Sequence, residues 1–272
     1  MKSSPLRRTF DVLAVFVVAI WLFPIYWVVL TSFKTPDVIN SAVPVFVFHP
    51  TMQNYQELFG RFEFARILAN SLIIVSISTF ITMVLALMAA YALARLRMRG
   101  ASSLSLVIIS FRFMPAMVVV LPYYLIFQRF ALTDTYVGMI LIYIAFGLPF
   151  AVWLLRGFLL DLPRDIEDAA RLDGLKPWAV ARRVILPLAR PGIAVTTIFT
   201  FVFGWNEYLF ALMLTYVQAE TVPVALSKMV EPYVVLWGDI GGAVTIQLIP
   251  MLIVVFLLQR HITRGLALGA VK

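Results

Sequence analysis

The sequence predicts an all-α, polytopic membrane protein: six transmembrane helices and one charged helical segment on the inner face. Three observations carry this. Of 272 residues, 62% are hydrophobic and only 13% charged, against roughly half and a quarter in soluble domains. Six apolar stretches approach the roughly 20 residues a helix needs to cross a hydrocarbon core of about 30 Å. Lysine and arginine fall unevenly between those stretches, as the positive-inside bias requires.

The first stretch, 11–31, follows Lys2, Arg7 and Arg8. It is longer than a signal-peptide core and no small-residue cleavage pattern follows, so it reads as an uncleaved span. Segment 34–66 comes next, with "VPVFVF" and "NYQELFGRFEF", then spans at about 67–93, 104–127, 136–156, 193–215 and 243–260. The connecting segments 94–102, 128–135, 157–192 and 216–242 are polar or proline-bearing. None is large enough for a soluble domain, which makes residues 1–272 a single membrane domain. Pro115, Pro122, Pro149 and Pro250 are expected to kink spans.

With the N-terminus inside, the inner segments hold sixteen basic residues: Lys2, Arg7, Arg8, Arg95, Arg97, Arg99, Arg156, Arg164, Arg171, Lys176, Arg182, Arg183, Arg190, Arg260, Arg264 and Lys272. The outer ones hold five: Lys34, Arg61, Arg66, Arg129 and Lys228. Both termini and segment 157–192 are therefore expected in the cytoplasm. This asymmetry also accounts for the net charge of +8, so nucleic acid is not an expected partner; the lipid bilayer is. There is no cysteine, and His49 and His261 stand far apart, so neither a disulfide framework nor a metal site is expected.

Segment 165–192, "DIEDAARLDGLKPWAVARRVILPLARPG", is the polar exception. Pro163 suits a first helical position, and Asp165, Glu167 and Asp168 complement the positive end of a helix dipole. Gly174 suits the left-handed C-terminus of that helix. Pro177 opens a second helix through Trp178 and Val184, which Pro187 ends or bends. Helix, glycine elbow, helix is the expected form. Paired alanines offer a low-relief surface for another protein; an amphipathic helix resting on headgroups is the alternative.

Inside the spans, a charge costs about 2.5–3.5 kcal/mol on insertion scales. Arg112 is expected to snorkel or pair, or else to meet substrate. Asn206 and Tyr208 could hydrogen-bond a sugar, Trp205 could stack on one, and Glu207 could line the pore or pair with a neighbouring subunit. Asn70, Ser71, Ser76, Ser78, Thr79 and Thr82 are expected to bond between helices. No G-x-x-x-x-G-K-[ST] phosphate loop is present, so the chain is not expected to be an enzyme or to bind a cofactor.

Asp168-Ala169-Ala170, Gly174 and Val184-Ile185-Leu186-Pro187 keep the spacing of the Glu-Ala-Ala signature, with Asp168 for Glu and Val184 for Ile. On these residues the chain resembles the permease subunits of bacterial ATP-binding-cassette (ABC) importers. "AYALARLRMRG", "LTDTYVGMILIYIAFGLPFAVWLLRGF", "GWNEYLFALML" and "GLALGAVK" resemble the carbohydrate branch with six-span permeases of the maltose-transporter type. The resemblance implies the type I importer permease fold in the bacterial inner membrane. It implies import of a sugar or sugar derivative with a sister permease, two ATPase subunits that hold ATP and Mg, and an extracytoplasmic solute-binding protein. Glu167, Asp168, Ala169, Ala170, Asp173, Gly174, Leu186 and Pro187 would couple to the ATPase. The 216–242 loop would reach the binding protein, and the C-terminal tail would touch the ATPases. The alternatives are a permease for a non-sugar solute and an ion-coupled secondary transporter. The latter needs an ionisable path and often an inverted repeat; only Arg112 and Glu207 are candidates for such a path, and no repeat is evident.

Overall fold

A computed structural model describes residues 5–96, 98–230 and 235–269, with side chains described from Phe10 to Arg260 within those ranges. Lys2, Arg97 and Lys272 of the charge distribution, the middle of the 216–242 segment and the end of the C-terminal tail lie outside them. Among the described residues, four helices are long and apolar enough to cross a membrane, six if two bent pairs each count as one. The helices fall into two compact units, residues up to Arg66 with Ala225–Ile249, and Ile67–Val224 with the residues from Pro250.

In the first unit, α1 (Pro5–Thr31) is followed by α2 (Pro36–Ile39) and α3 (Gln53–Gly60). Every described residue of α1 from Phe10 to Tyr26 is exposed. The turn after α1 is held from α3: Asn54 Nδ2 donates to the carbonyls of Ser32 and Lys34, both at 2.8 Å. The Lys34 ammonium sits 3.9 Å over the Trp27 ring. The start of α14 (Trp237–Gly269) belongs here, and Gly241 lets it approach Val28 and Ser32 closely.

The second unit is built on α4 (Phe64–Arg95), α7 (Tyr136–Leu160) and α11 (Arg190–Trp205). One apolar cluster joins Ile74 and Val75 of α4 to Ile142 and Tyr143 of α7, Phe201 and Trp205 of α11, and Phe210 and Leu214 of α12 (Leu209–Leu214). A second joins Ala86 and Ala90 of α4 to Leu155 and Leu159 of α7 and to Ala170, Val180 and Ile185 of the charged segment. Alanines line α4 here, so the helices approach closely.

Two expected spans are broken. Within 104–127, α5 (Ala101–Ser110) and the tight turn Phe111–Phe113 meet α6 (Ala116–Arg129) at a bend of 88°. Pro115 stands at that break, while Pro122, Pro149 and Pro250 lie inside continuous helices. Within 193–215, α11 stops at Trp205 and α12 begins at Leu209. Sixteen residues rise only about 24 Å, less than a hydrocarbon core, and α12 adds the remaining length.

The charged segment forms α8 (Arg164–Leu172), then α9 (Pro177–Val180), a π-turn Ala181–Ile185, and α10 (Leu186–Leu188). Pro163 is the cap rather than the first helical residue. Pro187 does not end the second helix. The wider π-turn immediately before it takes up the missing N–H and the ring clash that proline imposes. The chain then turns 72° into α11. At that corner Gly192 meets Phe158: an added Cβ would lie 2.5 Å from the ring. Gly192→Ala is expected to destabilise the fold by about 1–3 kcal/mol through overpacking, measured by thermal unfolding of the purified chain. Unchanged stability would show that Phe158 swings away at little cost.

Candidate functional site

Two regions bring the sequence-predicted residues together. The first is the charged segment. Gly174 has φ +85°, the left-handed region that only glycine adopts without cost. It ends α8, as the Gly174 N–H donates to the Arg171 carbonyl. The elbow is therefore a fixed turn.

Its two acidic residues part ways. Glu167 is buried and ion-paired with Arg95, the last residue of α4, both side chains being almost fully covered. Arg95 Nη2 also donates to the Leu162 carbonyl at 3.1 Å, and Arg164 Nη2 donates to the Ala94 carbonyl at 3.3 Å. Asp168, one residue on, faces outward and reaches Arg171 at 3.5 Å. The alanine pair divides in the same way: Ala170 packs inward while Ala169 is exposed. The low-relief patch is thus half internal. What the segment shows to its surroundings is Asp168, Ala169, Asp173 and Gly174, with Leu172 89% and Trp178 76% exposed. Leu186 and Pro187 are also exposed. Arg95 was read from the sequence only as a topological charge; no local pattern marks it as the partner of Glu167.

The second region is a cavity of about 590 Å³. Ser78 and Thr82 of α4, Tyr143, Phe146, Gly147 and Phe150 of α7, and Thr200 and Phe203 of α11 form its walls, with Arg112 at the 88° break. Asn206, Glu207 and Tyr208, the interruption between α11 and α12, complete it. Trp205 does not reach the cavity. It is 2% exposed and stacked on Phe201 in the core, ring centroids 5.5 Å apart, so it offers no sugar platform within this chain. Aromatic faces at the cavity come instead from Phe146, Phe150 and Phe203.

Glu207 has a local task. Its carboxylate accepts the N–H groups of Phe210 at 2.9 Å and Ala211 at 3.1 Å, satisfying the start of α12. Asn206 Nδ2 donates back to the Val202 carbonyl at 2.8 Å. The Arg112 guanidinium lies 5.0 Å over the Phe203 ring, a cation–π contact. Chemically the cavity combines aromatic faces with an amide, a phenol, a carboxylate and a guanidinium. That set suits a hydroxylated solute better than an apolar one.

Of the span-two polar residues expected to bond between helices, Asn70 does so, its Oδ1 accepting the Tyr136 hydroxyl at the start of α7, and both it and Ser71 also bond the segment 218–222. Asn70 Nδ2 donates to the carbonyls of Gln218 and Glu220, and Ser71 Oγ accepts the Val222 N–H. On the same stretch Asp134, which the sequence reading passed over, accepts the N–H groups of Tyr216, Val217, Gln218 and Ala219. Burial alone would raise the Asp134 carboxyl pKa, but these four amides hold it below the ordinary aspartate value. The available signal was "LTDT": an Asp in the left-handed region, φ 54°, just ahead of a Thr that caps α7 through the Gly138 N–H.

By fold and site the protein is a multi-pass, all-α membrane permease with a polar cavity and an exposed charged elbow. The chain belongs to the family of binding-protein-dependent transport system inner membrane components, whose model matches residues 82–268. It is 37% identical over 270 residues to the trehalose transport system permease protein SugB of Mycobacterium tuberculosis, covering 96% of each chain. It is 30% identical to the trehalose/maltose transport system permease protein MalG of Thermococcus litoralis, covering 100% of this chain and 99% of that one. A solved bacterial ABC transporter involved in import of the acidic polysaccharide alginate shares the fold, with a TM-score of 0.74 at 21% identity over 96% of this chain and 99% of that one. These relatives are transport permeases rather than enzymes, and membership of an ABC permease family sets aside the ion-coupled secondary transporter.

Two outcomes test the site. Replacing one partner of the Arg95–Glu167 pair strands a buried charge at about 3–5 kcal/mol. Glu167→Leu should therefore destabilise more than the double variant Arg95→Met/Glu167→Leu in denaturation of the purified chain; the reverse order would remove the pair's structural role. For Asp134, the folded pKa is the lower one. Its contribution is complete above the unfolded value of about 3.9 and is lost as pH falls through the folded value. A ¹³C-carboxyl titration should show a midpoint below about 3.9; a midpoint at or above it would contradict the four-amide clamp.

Proposed function

We propose that this chain is a permease subunit of an ATP-driven, binding-protein-dependent importer of a sugar or sugar derivative. Both termini and the charged elbow face the cytoplasm, and the chain works beside a sister permease, two ATPase subunits that hold ATP and Mg, and an extracytoplasmic solute-binding protein. The observation that carries the reading is the construction of the elbow. It is rigid at Gly174, tied to α4 through Glu167 and Arg95, and exposes two large apolar side chains among acids. Leu172 and Trp178 on a polar helical segment gain nothing from water, and exposed apolar groups grouped on a rigid element mark a protein contact.

In this mechanism Leu172, Trp178, Asp168, Ala169, Asp173 and Gly174 meet the ATPase, with Leu186 and Pro187 beside them. Glu167 and Ala170 face the other way and hand movement to α4 and α7. ATP-driven closure of the ATPase pair moves α8, and the cavity bordered by Asn206, Glu207, Tyr208 and Arg112 changes its access. Driving such an equilibrium from 1:99 to 99:1 takes about 5.5 kcal/mol, so the elbow must bear load. The sugar class is supported by the trehalose and trehalose/maltose permeases among the relatives and by the polar, ring-lined cavity.

Reconstitution with all partners tests the reading. Leu172→Asp alters a side chain that is almost fully exposed, so folding should be untouched. It is expected to lower solute-stimulated ATP hydrolysis and uptake at least about tenfold, as truncating a central interface anchor does. Full hydrolysis and uptake in that variant, with the protein in the membrane, would move the coupling surface elsewhere.

A further inference from the structure

We infer that Asp134 is a positioning residue that holds the turn Tyr216–Ala219 in the shape the solute-binding protein meets. The inference rests on the function proposed above and extends it to a residue outside both regions described there.

The turn is pinned by its backbone from two sides. Asp134 Oδ1 accepts the N–H groups of Tyr216, Val217 and Ala219 at 3.0, 3.2 and 3.1 Å, and Oδ2 accepts those of Val217 and Gln218 at 3.1 and 3.0 Å. Successive amides converging on one anion form a nest, here filled by the protein's own carboxylate. The Asp134 N–H in turn donates to the Leu214 carbonyl at 2.6 Å, closing the end of α12. On the carbonyl side, Asn70 Nδ2 takes Gln218 and Glu220 at 2.9 and 3.0 Å, and the Tyr136 hydroxyl donates to Asn70 Oδ1.

None of these bonds uses the side chains at the tip. Tyr216 and Val217 are 49% and 57% exposed and Gln218 is exposed as well. The rest of the molecule determines the backbone and holds the Tyr216 hydroxyl, which donates to that of Tyr124 at 3.1 Å, so that Val217 and Gln218 are the side chains left for a partner. A loop ordered in advance does not lose that conformational freedom on binding, which is the advantage a docking turn gains from four amides bonded to one carboxylate. The partner is the soluble binding protein, with a surface that accepts an apolar and an amide side chain on a turn of fixed shape.

The test uses the complete reconstituted transporter in lipid nanodiscs, titrated with its binding protein. Asp134→Asn keeps size and tolerance of the left-handed backbone but replaces one acceptor oxygen by a donor. Amides 216–219 should exchange at least about tenfold faster while α4 and α7 keep their protection. The binding-protein concentration for half-maximal ATP hydrolysis should rise about five- to thirtyfold, the factor that one or two kcal/mol represents, with the rate at saturation within about twofold of wild type. Val217→Asp changes only the tip, and should raise the half-maximal concentration without altering exchange. Unchanged exchange in Asp134→Asn, or faster exchange with an unchanged half-maximal concentration, would overturn the inference, as would a fall confined to the saturating rate. A wild-type complex indifferent to binding protein would overturn the proposed function and this inference together.

Discussion

Wherever a helix is interrupted in an apolar bundle, backbone N–H and C=O groups lose their partners, and no water stands by to replace them. In this protein a polar side chain meets that constraint at one break after another. Glu207 takes the first amides of α12, and Asp134 takes its last carbonyl through its own N–H and the following amides through its carboxylate. Asn70 and Ser71 take what remains of that turn. At the end of α4, Arg164 reaches the Ala94 carbonyl and Arg95 the Leu162 carbonyl, so the two breaks satisfy one another. In the other unit, Asn54 does the same for Ser32 and Lys34. Apart from the local bonds of Glu207, each such bond joins segments distant in sequence. Satisfying the backbone is also what ties the helices together.

The charged elbow follows the same rule and adds a direction to it. Glu167 and Ala170 lie on the inner side of α8, against Arg95 and the alanine-lined end of α4, whereas Asp168, Ala169 and Leu172 lie on the outer side. A single helix of nine residues therefore carries an internal attachment and an external surface. Displacing α8 displaces the end of α4, since separating them would strand a buried charge. Thr82 and Ser78, thirteen and seventeen residues back along α4 from Arg95, border the cavity. At 1.5 Å per residue that is about 20–25 Å of continuous helix, a stiff path from the elbow to the cavity. Besides the walls from α7 and α11, two interruptions border the cavity, at Arg112 and at Asn206–Tyr208, and these are the places where helices can change direction with least loss of bonding.

Much of this was legible in the residues. The elbow could be read because its cues are local: acids ahead of a helix, glycine at its end, proline opening the next, each acting within four residues. The cavity was half legible. Asn206, Glu207 and Tyr208 stand out as polar residues in an apolar run and do border it, but Trp205 beside them turns into the core. One residue is about 100° of helical rotation, enough to move a ring from the cavity to the interior. Arg95 and Asp134 were not legible in their roles, because Glu167 and the amides of 216–219 that they meet lie seventy and more positions away.

The sequence by itself determined the class: a helical membrane protein, the approximate position of its spans, and a rigid charged segment between two of them. Composition and short-range stereochemistry suffice for that, because hydrocarbon accepts only backbone that bonds within its own helix. The tertiary structure alone decided which of two adjacent acids is buried, where two spans break, and which distant side chains close those breaks. These depend on which groups come within about 3 Å of one another once the helices are packed, and no periodicity in the chain records that distance.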